Sequence, residues 1–204
     1  MKPQPRFVTF GSEGPRLEGV FTPGGEGKRP ALFCAPHPLY GGSMDNEVIV
    51  TLADALADMG HPVLRFNYRG VGRSEGEYGG GGGEAADAAS AADFLMGETE
   101  AGRVMVVAYS FGAWVAMMCR QARGDLDPLV LLSPPNRMMD FDFDIAGARL
   151  FVLAGTRDDY CDLELLARQF PANVTPIEGA DHFYGRGLEV LRREVSRIAR
   201  ELDV

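Results

Sequence analysis

The stretch VMVVAYSFGAWVAMMCRQA, residues 104–122, decides the fold. Val104, Met105, Val106 and Val107 form an apolar run of strand length, rich in β-branched side chains. From Phe111 to Cys119 nothing charged interrupts the chain, as expected of a buried helix. Ala108-Tyr109-Ser110-Phe111-Gly112 joins the two. A strand that passes through a tight, small-residue turn into a buried helix is the repeating step of a parallel sheet covered by helices.

The same step recurs on both sides. Residues 30–35 read as a buried strand, and residues 46–59 follow with Val48, Leu52, Leu56 and Met59 at helical spacing before Gly60. Residues 62–67 form another strand, and the Ala-rich segment 84–96 another helix. Residues 129–132, 149–154 and 174–177 supply three further strands, with helices at 163–169 and 188–202. Ahead of these, residues 6–10 and 17–21, separated by Gly11, Gly14 and Pro15, predict an antiparallel hairpin at one edge. The expectation is about eight strands, mostly parallel, with helices on both faces, as a single domain over residues 1–204. Gly79 to Gly83, five consecutive glycines, read as a mobile loop.

Composition narrows the function. Twenty Lys and Arg against 29 Asp and Glu give a formal charge of −9. That balance argues against a nucleic-acid surface and offers no polybasic patch for a membrane. The longest uncharged stretch, between Arg103 and Arg120, is shorter than the roughly 20 apolar residues of a spanning helix. The amino-terminal MKPQPR has no apolar segment of a secretory signal. Cys34, Cys119 and Cys161 are odd in number and scattered, as in a reduced cytoplasmic protein. The lone Cys34-x2-His37 has no second pair, so no metal is expected.

Two serines sit in the small-x-Ser-x-Gly pattern of a nucleophile turn: Ser74 in Gly72-Arg73-Ser74-Glu75-Gly76 and Ser110 in Ala108-Tyr109-Ser110-Phe111-Gly112. Only Ser110 lies directly between a strand and a helix, so Ser110 is the candidate nucleophile and Ser74 reads as a polar turn residue. The plainer alternative for Ser110 is a helix cap. A serine hydroxyl needs a base, and the base an orienting acid. In the chain order serine, acid, histidine, His182 is the one histidine downstream of Ser110. Asp158 is the favoured acid, at the end of the strand 149–154, with Asp159 next. Phe111 N–H and a loop N–H from residues 36–42 would form an oxyanion hole. Pro36 and Pro38 have none, which selects Leu39, with His37 or Tyr40 as alternatives. His37 and Tyr40 would also contact substrate. Met138 and Met139, with Phe141 and Phe143, either line an acyl pocket or seal the end of the sheet.

These motifs together resemble the α/β-hydrolase superfamily, and most closely its small lidless bacterial serine hydrolases. The resemblance rests on residues 36–46 (PHPLYGGSMDN), 64–74 (LRFNYRGVGRS), 109–112 (YSFG) and 179–183 (GADHF), and covers nearly the whole chain. Ala35 stands where the group usually has His, and Ala108 where the turn usually opens with Gly. The resemblance implies the α/β-hydrolase fold and a triad at Ser110, Asp158 and His182. It places any cap between residues 134 and 147, too short a stretch for a cap domain, so the site should be open and shallow. The implied activity is a carboxylesterase on small acyl substrates, without cofactor. The alternative is a non-catalytic protein of the same fold that binds a ligand or partner.

Overall fold

Eight strands form one sheet: β1 (Arg6–Phe10), β2 (Leu17–Thr22), β3 (Ala31–Cys34), β4 (Val63–Phe66), β5 (Val104–Tyr109), β6 (Leu126–Leu132), β7 (Leu150–Gly155) and β8 (Val174–Ile177). Their spatial order is β1-β2-β4-β3-β5-β6-β7-β8. The β1–β2 and β2–β4 pairs are antiparallel and the remaining pairs parallel. Five helices accompany them: α1 (Glu47–Asp58), α2 (Gly82–Thr99), α3 (Phe111–Ala122), α4 (Leu163–Gln169) and α5 (Leu188–Leu202). The computed structural model describes residues 4–11, 14–143, 147–170 and 174–203. Residues 1–3, which bear on a secretory signal, and 144–146, within the stretch considered for a cap, lie outside the described residues.

Strand periodicity of two sorts the core into two layers. In β5, Val104, Val106 and Ala108 face α2 and α3, whose Ala88, Ala92, Leu95, Ala113 and Val115 share their cluster. Met105, Val107 and Tyr109 face the other way, toward Ile49, Leu52 and Leu56 of α1 and Leu191, Val195 and Ile198 of α5. All six residues of β5 and all seven of β6 are buried. That is why these strands read as continuous apolar runs rather than alternating ones.

Two elements differ from expectation. β6 starts three residues early, through Pro128, because Val104 pairs with Leu126 and Val106 with Leu129. The extra residue bulges out of register, which lets a proline sit inside the sheet. The glycine run is packed rather than loose. The Glu84 side chain, fully buried, accepts hydrogen bonds from the N–H groups of Gly79 (2.8 Å) and Gly81 (2.6 Å), a capping box that starts α2 at Gly82. Gly81 has φ 96°, and a Cβ there would overlap the Trp114 ring. Gly81 is required because neither its dihedral nor the space beside Trp114 admits a side chain.

The described residues between β6 and β7 form turns, without a further helix or strand. No helix among the described residues is long and apolar enough to cross a membrane.

Candidate active site

Ser110 lies where β5 passes into α3, with φ 55° and ψ −120°. A side chain in that region of backbone space is strained by about 1–3 kcal/mol. The turn is held by Ser110 N–H donating to Leu132 O at 2.8 Å and Ala113 N–H to Ser110 O at 2.8 Å. Two positions later, a Cβ on Gly112 would overlap Cys34 O and lie 2.6 Å from Ala35 O. The small residue of the motif is thus required by the approach of α3 to the end of β3.

Ser110 stands at the cap position of α3, yet its side chain makes no capping hydrogen bond. Its Oγ lies instead 2.9 Å from His182 Nε2. The other imidazole nitrogen, Nδ1, lies 2.9 and 3.0 Å from the two carboxylate oxygens of Asp158. Asp158 follows β7 and His182 follows β8, so three loops at the carboxyl ends of parallel strands deliver the three groups to one rim. Asp158 is buried and also accepts hydrogen bonds from Tyr160 N–H (2.9 Å) and Cys161 N–H (3.2 Å). Burial alone would raise its pKa. The hydrogen bonds from His182, Ser133 and Tyr160 N–H overcome that and hold the carboxyl below the usual aspartate value. A donor at Nδ1 leaves Nε2 unprotonated and facing the serine hydroxyl, the tautomer that can accept its proton.

Asp159 is exposed. Asp181, beside His182, is exposed too and accepts from Phe183 and Gly185 N–H, closing its own turn. Ser74 is a structural turn residue: its hydroxyl donates to Asn67 O at 2.8 Å and accepts from Glu18 N–H at 3.1 Å.

The expected oxyanion donor Leu39 requires correction. Its N–H donates to His37 Nδ1 at 3.2 Å, and Tyr40 N–H to His37 O at 3.1 Å. A single 3-10 turn, residues Pro38–Tyr40, consumes both. Among the described residues no acceptor is recorded for His37 N–H, nor for Phe111 N–H at the start of α3. The Pro36 carbonyl points at Gly42, where a Cβ would overlap it. In a trans peptide the His37 N–H therefore points the opposite way, out of the turn.

The His37 ring lies 4.5 Å from the Phe111 ring and 4.7 Å from that of Tyr40. Because Nδ1 accepts from Leu39, Nε2 carries the proton, 3.3 Å from the Tyr78 hydroxyl oxygen. Burial lowers its pKa, so His37 is neutral and shapes the loop. Tyr40 is almost fully exposed beside it. The two methionines part company: Met138 is exposed, whereas Met139 packs with Phe143 on buried Phe141 and the core. Phe141 and Phe143 pack edge to face at 5.9 Å, Phe141 within the core and Phe143 against it.

Other supporting groups left no motif in the sequence. Tyr109 Oη donates to His182 O at 2.7 Å, tying the histidine loop to β5 beside Ser110. Its position beside Ser110 and its parity on β5 were the available signal. Ser133 Oγ, 2.9 Å from Tyr184 Oη, lies against Asp158. Tyr160 and Phe183 flank the imidazole, with ring centroids at 4.7 and 5.4 Å. Cys161, although close to Asp158, is held protonated: burial and the neighbouring carboxylates push its pKa to about 12. Neither of two surface clefts, one bordered by Asp54 and Arg65 and the other by Arg6 and Glu98, includes a residue of the Ser110–His182–Asp158 group.

A sequence model of the alpha/beta hydrolase family matches residues 20–203. An uncharacterized protein of Rickettsia prowazekii (strain Madrid E), RP471, is 36% identical over 196 residues, covering 88% of this chain and 82% of the relative. The crystal structure of ATU1826, a protein of unknown function from Agrobacterium tumefaciens, superposes with a TM-score of 0.88 at 29% identity, covering 97% of both chains. XC6422 from Xanthomonas campestris, described as an α/β serine hydrolase without lid, superposes with a TM-score of 0.86 at 25% identity over 98% of this chain and 95% of that one.

Proposed function

Because the chain belongs to the α/β-hydrolase family, we propose that it is a serine hydrolase, a carboxylesterase acting on small or short-chain acyl esters. Ser110 Oγ attacks the ester carbonyl as its proton passes to His182 Nε2. Asp158 holds the imidazole in the required tautomer and stabilises the imidazolium that forms. The oxyanion takes hydrogen bonds from Phe111 N–H, where the α3 dipole adds positive potential, and from His37 N–H. His182 then returns the proton to the leaving alcohol. Water repeats the sequence on the acyl-enzyme and releases the acid. Each proton moved passes between Ser110, His182, the leaving alcohol and the attacking water.

One observation carries the reading. Ser110 occupies a helix cap position in a strained conformation and directs its hydroxyl to an imidazole rather than to the helix it begins. A capping serine has no need of the strain or the imidazole. The exposed Leu39, Tyr40 and Met138 around the rim support an open site with little enclosure for a long acyl chain.

Labelling by a fluorophosphonate tests the reading. Wild type and Ser74→Ala should label, and Ser110→Ala should not. A folded wild-type protein that resists the probe and hydrolyses no p-nitrophenyl ester would refute it. A preference for long acyl chains would refute the small-acyl assignment.

A further inference from the structure

Large exposed apolar side chains concentrate at the rim that holds the triad. Of seven among the described residues, Leu39 and Tyr40 lie on the loop after β3, Met138 after β6, Tyr160 after β7 and Phe183 after β8. Leaving such side chains in water at the carboxyl edge of the sheet marks a contact surface for something apolar. A net charge of −9 disfavours an anionic lipid surface as the occupant.

Proton transfer assigns part of this surface to part of the substrate. In acyl transfer the ester C–O bond breaks, its electron pair passes to the departing oxygen, and that oxygen takes the proton from His182 Nε2. The departing oxygen must therefore come within hydrogen-bond reach of the imidazole. Whatever it carries lies against the side chains around that ring. The exposed aromatic ones are Tyr160 and Phe183, 39% and 70% exposed, 6.4 Å apart and nearly perpendicular to one another. Their rings form an open aromatic corner with a free face to solvent, a shape that receives a flat ring in edge-to-face contact.

We propose that Tyr160 and Phe183 form a leaving-group subsite, and that the substrate is an ester of an aromatic or arylalkyl alcohol with a small acid. The proposal rests on the serine-hydrolase reading and deepens it. The two rings hold the departing half while the hydroxyl of Ser110 retains the acyl half.

Benzyl acetate and ethyl acetate have the same acyl group and alcohols of similar acidity, so their kcat/KM ratio reports contacts to the leaving group. Wild type should favour benzyl acetate about tenfold, the order expected of one aromatic contact. Tyr160→Ala/Phe183→Ala should erase that preference, and Phe183→Ala, at the more exposed position, should reduce it. The ratio of ethyl butyrate to ethyl acetate should stay within about twofold of wild type in both variants. A benzyl preference unchanged in both variants, or no preference in wild type that does hydrolyse ethyl acetate, overturns the subsite alone. A wild type that hydrolyses none of the three and leaves Ser110 unlabelled overturns the hydrolase reading and the subsite with it.

Discussion

Replacing Ser110 separates the energetics of the turn from its chemistry. Ser110→Ala and Ser110→Gly both remove the hydroxyl and its 2.9 Å contact with His182. They differ in the backbone. At φ 55° and ψ −120° a Cβ carries strain of about 1–3 kcal/mol that glycine lacks. Against this, glycine gives up about 0.5–1 kcal/mol more conformational entropy on folding than alanine. The difference favours glycine by roughly 1 kcal/mol, within a range of about 0–2.5. Almost everywhere else in a protein the order is reversed. Urea unfolding at equilibrium should therefore give a larger ΔG for Ser110→Gly than for Ser110→Ala. In thermal unfolding the gap should be about 2–4 °C per kcal/mol for a chain of this length. Both variants should be inactive. Ser110→Ala as stable as Ser110→Gly, or more so, would refute the claim that strain is stored at Ser110.

Other perturbations test the neighbouring residues. Asp158→Asn should lower kcat by about 10⁴-fold with a native far-UV spectrum, because an amide no longer selects the tautomer that accepts the serine proton. The same variant tests linkage. Asp158 titrates below its ordinary value, so its stabilising contribution is complete above the normal aspartate pKa and is lost as pH falls through the depressed folded-state pKa. Wild type minus Asp158→Asn stability should shrink on acidification, and a difference that grows would contradict the assignment. Tyr109→Phe removes the 2.7 Å hydrogen bond to His182 O and should cost about 1–3 kcal/mol in urea unfolding, with a lower kcat. Gly81→Ala should destabilise by at least about 1 kcal/mol, because its Cβ would overlap the Trp114 ring at a φ that alanine resists.

The sheet was legible because its central strands are buried on both faces. Continuous apolar runs such as β5 and β7 announce themselves, and the helices between them announce that the strands are parallel. Pro128 hid the start of β6, since a bulge that accommodates proline depends on the register of a neighbouring strand. At the site, Ser110 was legible from its flanks, and Asp158 and His182 from chain order, since each lies in the loop after a strand. The second donor proposed for the oxyanion was not. Whether Leu39 or His37 presents a free N–H depends on how a 3-10 turn folds its amides inward, a detail that counting prolines does not reach. The glycine run misled for a related reason: its order comes from Glu84 and Trp114, one at the start of a helix and the other 30 residues downstream of Glu84.

The three cysteines bear on how the site is to be probed. Burial raises the pKa of Cys34 to about 12, of Cys119 to about 11 and of Cys161 to about 12. At neutral pH fewer than about one molecule in a thousand carries a thiolate at any of them. Electrophilic reagents aimed at the serine will therefore meet almost no competition from sulfur. Modification detected in the intact wild type by mass spectrometry can be read without a thiolate contribution, with no need to strip the cysteines first.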